Sequence, residues 1–372
     1  MDVVKVVCLP GEAGGTREFN DLYKIQPTED TTFYSVGERA MEILYAGVQG
    51  ESALWQHPKG HRRDMGPFMT DHIEAFFTAG LENVGGPCEG FPLHGTLSLT
   101  PATYINRVED ADGRIGIGGQ INATNMVHGP YIKAGREVTV SPGIRAFRVS
   151  DALTADVDSD YMLLYHPNFP VVEGTRIVAN PLAVVARNRV SSCDIERYGV
   201  FENVGRGYAR IPVSEPAVVD RNLSWDQVRA ENFERCYVMQ MQPDSEGDVY
   251  VALVAPDGGS AAFVRYNQSM LVPGQGFQLW KNPRGGVCGL EPGHTFNGRT
   301  WATDKGLVGH LKAGESHTFA VDVGFLRGER EVRNFIGEHD LGSTNPELIV
   351  ADGQGPGYTH SQIQRYYKQP PR

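Results

Sequence analysis

Glycine and proline interrupt this chain at short intervals along its whole length. The 372 residues include 44 glycines and 23 prolines. Glycine costs conformational entropy inside a regular element, and proline lacks the backbone N–H that the element needs. Such frequent breaks favour short strands joined by turns over long helices.

The segments between the breaks alternate apolar and polar residues, a period of two that is typical of strands with one buried face. In His317–Phe325 the apolar residues that alternate are Phe319, Val321, Val323 and Phe325. Val249–Ala255 and Ala261–Tyr266 flank Pro256-Asp257-Gly258-Gly259, which predicts a hairpin because its glycines accept positive φ. Further strands are predicted at Met41–Ala46, Arg114–Ile121, Arg136–Val140, Ile144–Val149 and Tyr161–Tyr165.

Helical patterns are few and short. They are Met69–Thr78 and Ser224–Asn232, and no strands alternate with helices as parallel sheets require. We therefore predict an all-β fold, a large antiparallel β-sandwich or barrel with few short helices. One domain over residues 31–330 is favoured, with 1–30 as an N-terminal extension or edge strands and 331–372 as a C-terminal arm or tail.

Composition excludes several classes of function. The formal net charge of −11, with both signs interleaved, leaves no basic surface for nucleic acid. No apolar stretch approaches the roughly 20 residues of a membrane-spanning helix, and the opening residues lack the pattern of a secretory signal. The five cysteines form no C-x-x-C pair, so we expect reduced thiols. These features predict a cytoplasmic protein.

Two patterns that resemble known ligand sites are set aside. Gly113–Gly119 is glycine-rich but runs into strand-like residues, so it offers no helix N-terminus to a pyrophosphate. His57 and His61 have the spacing of a helical metal pair, but Pro58 and Gly60 between them disfavour a helix.

Three short polar segments remain as candidates for chemistry: Phe91–Thr96, Leu164–Pro170 and Val287–His294. Each places an ionisable group beside a glycine or proline: His94, His166 and Glu291. At a strand end, such a neighbour fixes the backbone and lets the side chain project into a cleft. For His94 alone, a core histidine bonded to backbone is an equal alternative, whereas a buried carboxylate at Glu291 is costly unless it is paired or used.

In their order along the chain, these segments resemble the galactose mutarotase (aldose 1-epimerase) superfamily, most closely a poorly characterised branch of it. The motifs that carry the resemblance are short, and its specificity rests on their order. They are Gly37-Glu38-Arg39-Ala40-Met41-Glu42-Ile43, Pro92-Leu93-His94-Gly95, Tyr165-His166-Pro167-Asn168-Phe169 and Gly289-Leu290-Glu291-Pro292. The resemblance covers about residues 30–330 and implies a supersandwich of antiparallel strands.

By motif position, the resemblance implies His166 as general acid, Glu291 as general base and His94 as a substrate-orienting group. Arg39 is a candidate for binding a sugar hydroxyl, and Asn168 belongs to the His166 motif. The usual mutarotase string Thr-Asn-His-x-Tyr-Phe-Asn-Leu is replaced here by Leu-Leu-Tyr-His-Pro-Asn-Phe-Pro. Trp280 and Lys281 precede the Glu291 motif, where the indole suits stacking on a pyranose.

Three functions fit these residues. The first is an epimerase or isomerase that acts on a monosaccharide or modified sugar through a base and an acid. The second is a lyase, or a keto–enol isomerase, that acts on keto-sugar substrates with the same pair. The third is a non-catalytic carbohydrate-binding protein.

The expected partner is a small-molecule sugar. No cofactor is required by the residues, but a divalent metal stays an open alternative with His128 and His294 as its weak candidate ligands. A homo-oligomer is likewise open, because the exposed edges of a large sandwich offer surfaces for pairing.

Overall fold

In the computed structural model, the residues described are 2–6, 9, 19–56, 75–85, 90–110, 112–124, 131–172, 174–186, 202–203, 209–210, 235–271, 276–282, 286–294, 299, 302–303, 306–344 and 347–350.

Strands make up most of these residues. In chain order they are β1 Asp2–Val6, β2 Leu22–Thr28, β3 Thr31–Val36, β4 Glu42–Val48, β5 Glu51–Ser52, β6 Phe76–Leu81, β7 Ala102–Glu109, β8 Ile115–Thr124, β9 Tyr131–Val140, β10 Ala146–Ala155, β11 Ser159–Pro170, β12 Arg176–Ala179, β13 Pro181–Ala186, β14 Glu202–Asn203, β15 Ala209–Arg210, β16 Arg235–Met241, β17 Asp248–Val254, β18 Ser260–Asn267, β19 Gly276–Asn282, β20 Val287–Gly293, β21 Gly309–Leu311, β22 Ser316–Arg327 and β23 Glu347–Val350. The helix α1 is Glu329–Glu338, and 3₁₀ turns lie at Gly37–Arg39, Leu97–Leu99 and Gln268–Leu271.

The chain divides into two compact units. The first unit comprises Met1–Pro167 and Gly293–Gly324, and the second comprises Asn168–Pro292 and Phe325–Arg372. Each is built mainly from antiparallel strands that belong to two large sheets, and β14 and β15 of the second unit form a separate two-stranded sheet.

The first unit is a sandwich whose two sheets bury aromatic rings between them. One sheet runs β1-β2-β3-β4-β6-β11, and the other runs β22-β10-β9-β8-β7. Phe147 on β10 contacts Phe33 on β3 at 5.0 Å and Phe76 on β6 at 5.7 Å between ring centroids. Buried and half-buried residues alternate along β10, as expected for a strand with one face in the core.

The second unit contains the strands β20-β19-β16-β13-β23 in one sheet and β12-β17-β18 in the other. Strand β23 pairs in parallel with β13, and β17 pairs with β18 as an antiparallel hairpin. Helix α1 places Val332 in an apolar cluster with residues of β12, β17 and β18.

The structure confirms the predicted all-β antiparallel sandwich and most of the predicted strands, with ends that differ by a few residues. The 249–266 hairpin and the strand predicted at Arg114–Ile121 are among those confirmed. The prediction of a helix at Met69–Thr78 is wrong for the residues of this range that the structure describes, because β6 begins at Phe76. Every residue of β6 is buried, and an apolar run buried on both faces has no period that separates helix from strand. Ser224–Asn232 lies outside the described residues.

Within the described ranges, no helix combines the length and the hydropathy that crossing a membrane requires.

Candidate functional site

Three rings meet on one face of the first sheet of the first unit. His166 on β11 pairs in register with Phe77 on β6, and the two rings stack at 4.3 Å and 25°. The His94 ring packs edge-on to both, 5.5 Å from Phe77 and 6.0 Å from His166 between centroids. His166 is 7% exposed. The structure thus brings together two of the three predicted catalytic residues, although 72 positions separate them in the sequence.

The backbone around His94 holds its ring in a defined orientation. His94 has φ of 61°, its N–H donates to Gly85 O at 3.0 Å, and its carbonyl accepts from Gly80 N at 3.0 Å. The Gly85 N–H also donates to Nδ1 of the ring at 3.3 Å. Because an accepting ring nitrogen carries no proton, neutral His94 bears its proton on Nε2 and presents a donor there.

Gly95 is required by this turn. Its φ is +71°, and a Cβ at this position would lie 2.3 Å from Gly80 O and 2.8 Å from Asn83 O. The buried Glu82 carboxylate accepts hydrogen bonds from both the backbone N–H and the hydroxyl of Thr96, the next residue. The His-Gly pair of the motif therefore reflects a backbone fixed from several sides.

Arg39 lies in a second fixed segment of the first unit. It ends the 3₁₀ turn Gly37–Arg39, is 4% exposed, and is followed by Ala40 and Met41, both with positive φ. The Ala40 N–H donates to Thr100 O at 3.0 Å, and Met41 O accepts from Ser35 Oγ at 2.8 Å. These bonds hold a conformation that non-glycine residues rarely adopt.

A buried ion pair lies in the core of the first unit. Arg136 on β9 and Asp151 on β10 are fully buried and joined by two hydrogen bonds of 2.8 Å. Arg136 also donates from Nη1 to Ala40 O and from Nη2 to Thr78 Oγ1, each at 2.9 Å. Tyr165 on β11 donates its hydroxyl proton to Asp151 Oδ2 at 2.8 Å.

This environment shifts the pKa of Arg136 and that of Tyr165. Burial by itself would lower the pKa of Arg136, but the charge and hydrogen bonds of Asp151 outweigh it and raise that pKa. Burial, followed by the Asp151 charge, raises the pKa of Tyr165 well above its ordinary value, so the phenol remains a donor.

In the second unit, the described partner of Glu291 is an amide. Glu291 on β20 is fully buried, and its Oε2 accepts a hydrogen bond of 2.7 Å from Nε2 of Gln278 on β19. Gln278 is 6% exposed. Its sequence neighbours Phe277 and Leu279 point to the opposite face of β19, where Phe277 stacks on Tyr266. Glu291 thus lies on the polar face of this part of the sheet.

The other predicted binding residues of the second unit lie on β11 and β19. Asn168 is 4% exposed, and its Oδ1 has no hydrogen-bond partner among the described residues. Trp280 is half-buried and, two residues after Gln278, shares its face of β19. Lys281 follows it on the same strand, opposite Arg235 of β16.

His294, a predicted metal ligand, is fully buried among aromatic rings of the first unit. Tyr161 and Phe319 contact its ring at 5.2 and 5.5 Å, and its Nδ1 lies 3.3 Å from Leu163 O. His128 lies outside the described residues. No cluster of three His, Cys, Asp or Glu side chains suited to a metal occurs in the part of the chain that the structure describes.

Gln278, Glu82 and the Arg136–Asp151 pair were not identified from the sequence. For Gln278 a signal was present, because an amide at an alternate position of an apolar strand marks its polar face. Arg136 gave no such signal, since a charged residue in a strand is normally assigned to solvent.

The fold is that of a galactose mutarotase-like β-sandwich. The chain belongs to the family described as a domain of unknown function, DUF4432, whose model matches residues 19–325. None of the curated proteins compared with the chain matches it.

Solved structures show the same fold. A candidate aldose 1-epimerase from Klebsiella pneumoniae superposes with a TM-score of 0.73 at 20% identity, over 92% of this chain and 89% of that one. A galactose mutarotase-like protein from Clostridium acetobutylicum has a TM-score of 0.52 at 8% identity, over 82% and 95%. A galactose mutarotase related enzyme from Lactobacillus acidophilus has a TM-score of 0.51 at 11% identity, over 83% and 99%. At these identities the likeness establishes the fold.

Proposed function

We propose that this protein is a carbohydrate-active enzyme of the aldose 1-epimerase type, which interconverts the anomers of a monosaccharide or modified sugar. The observation that carries the proposal is the ring cluster of His166, Phe77 and His94 in a mutarotase-like fold. Two imidazoles side by side, one stacked on an aromatic ring and the other fixed as an Nε2–H donor, suit the binding and protonation of a sugar oxygen.

The reaction needs a base for the proton of the anomeric hydroxyl and an acid for the ring oxygen. We assign the base to Glu291 and the acid to His166, as the family resemblance implies. When the ring C–O bond breaks, the anomeric oxygen becomes a carbonyl, and rotation of the open aldehyde lets the ring close from the other face. Gln278 donates to the Glu291 carboxylate and so fixes its orientation.

The remaining predicted residues are assigned to binding. His94 donates from Nε2 to a sugar oxygen and holds the ring in place. Arg39, Asn168 and Lys281 offer polar contacts to hydroxyl groups, and Trp280 offers an apolar surface for a pyranose.

The test is NMR exchange spectroscopy on a panel of aldoses and modified sugars, with and without a chelator. We expect faster anomer exchange with no change in mass. Glu291→Gln and His166→Asn should each lower the enzyme-dependent rate by about 10²–10⁴, the usual contribution of one proton-transfer group. His310→Asn is the matched control, because His310 on β21 is half-exposed and its ring pairs with Asp160 at the start of β11, outside the ring cluster.

Other outcomes would replace the proposal. Release of an aglycone together with an unsaturated ketone would identify the lyase instead. If the parent protein turns over no sugar of the panel and the Glu291→Gln variant still binds sugar, the protein is a carbohydrate-binding protein. Loss of turnover on chelation would add a metal to the mechanism.

A further inference from the structure

The Arg136–Asp151 pair contacts the backbone or side chain of three residues, each of which adjoins a candidate site residue. Ala40 follows Arg39, Thr78 follows Phe77, and Tyr165 precedes His166. The hydrogen bonds to the three are 2.9, 2.9 and 2.8 Å long. All of these residues belong to the first unit.

Strand geometry places this network directly behind the site. Successive side chains of a strand point to opposite faces, so Thr78 and Tyr165 face the core when Phe77 and His166 face outward. The register agrees, since Tyr165 pairs with Thr78 and His166 pairs with Phe77. The network therefore joins the two strands at the pair of residues next to the stacked rings.

We propose that Arg136 and Asp151 are positioning residues, which fix Phe77, His166 and Arg39 from the far side of the sheet. The expected effect on kcat rests on the proposed function. The expected effect on the position of the His166 ring does not depend on it. The guanidinium holds β6 and the Arg39 segment, and the carboxylate holds β11 through Tyr165. A guanidinium suits this role because it is planar and rigid, so that its hydrogen bonds to several partners have fixed directions.

Two substitutions each remove one hydrogen bond of the network. Tyr165→Phe removes the phenol that donates to Asp151, and Thr78→Val removes the hydroxyl that accepts from Arg136. Both keep side-chain size nearly unchanged and leave the ion pair intact, so we expect both variants to fold. Tyr161→Phe is the matched control: Tyr161 lies on the same strand and face as Tyr165, but its hydroxyl contacts His317 Nδ1 at 3.0 Å and lies outside the network.

The expected result is a loss of about tenfold in kcat for Tyr165→Phe and Thr78→Val with a smaller change in KM, because small misplacements of a reacting group slow the chemical step. The double variant should lose less than the product of the single losses, since both act through one network. Tyr161→Phe should retain the parent kcat.

A second measurement is independent of turnover. The Phe77 ring at 4.3 Å shifts the NMR signals of the His166 imidazole, so selective histidine labelling reports the position of the ring. We expect these signals to move in Tyr165→Phe and Thr78→Val and to stay in place in Tyr161→Phe. If both network variants match Tyr161→Phe in these signals, the positioning role is wrong, whether or not the parent epimerises a sugar. If the signals move but the parent shows no turnover, the proposed function fails while the positioning role stands.

Discussion

Gly95→Ala tests whether the turn that carries His94 is as tightly fixed as the structure indicates. Gly95 has φ of +71°, where an L-residue costs about 1–2 kcal/mol. The new Cβ would also lie 2.3 Å from Gly80 O, 2.8 Å from Asn83 O and 2.9 Å from Glu82 Oε2. Overpacking of this kind costs about 1–3 kcal/mol more. We expect a total loss of about 2–5 kcal/mol in the free energy of unfolding.

The control for this substitution is Gly143→Ala. Gly143 has φ of +77°, and no described atom lies within 4 Å of its ideal Cβ, so only the backbone cost of about 1–2 kcal/mol applies. Urea unfolding followed by circular dichroism gives both losses on the same scale. Equal losses in the two variants would show that the contacts around Gly95 yield freely and that the argument for a fixed His94 is unsound.

Two further changes test the buried ion pair and the helix. Arg136→Met alone should lower the free energy of unfolding by about 3–5 kcal/mol, because it leaves Asp151 buried without its counter-charge, and the added Asp151→Leu should recover part of that loss in thermal melts. His339 stacks on Tyr250 at 3.7 Å, and burial lowers its pKa below the ordinary value of 6.5. A depressed histidine pKa gives stability that is present above the unfolded pKa and is lost as pH falls through the folded one. The free energy of unfolding, measured from pH 8 to 5, should therefore decline, and His339→Gln should reduce that decline. If the variant shows the same dependence on pH as the parent, His339 is not its source.

The strands could be predicted because their sequences record burial directly. On β22 the alternating apolar residues Phe319, Val321, Val323 and Phe325 are all buried in the structure. Helix α1 could not be predicted in the same way. Its apolar stripe is only one turn long: Val332, Phe335 and Ile336 recur at i, i+3 and i+4 and pack on one cluster, but only Val332 is fully buried. Gly328 at its start provides no side-chain cap, so the usual capping signal is missing.

The members of the candidate site could be nominated from motifs, but their neighbours could not. His94 and His166 meet because the register of β6 against β11 sets Phe77 beside His166, and register is a property of paired strands that one sequence does not state. Arg136 shows the same limit more sharply. A charged residue in the predicted strand Arg136–Val140 belongs at the surface by rule, yet the structure buries it completely.

The energetics of burial give a reason to connect Arg136 with the site. Removing two charges from water costs several kcal/mol per ion, and apolar residues of similar volume often replace a buried pair with no loss of stability. Stability of the sandwich is therefore a poor explanation for Arg136 and Asp151. Directional bonds to the Ala40 carbonyl, the Thr78 hydroxyl and the Tyr165 phenol are what apolar residues could not supply. If the double variant Arg136→Met with Asp151→Leu melts at the parent temperature, the pair contributes no net stability, and a simultaneous shift of the His166 signals would locate its contribution in the geometry of the site.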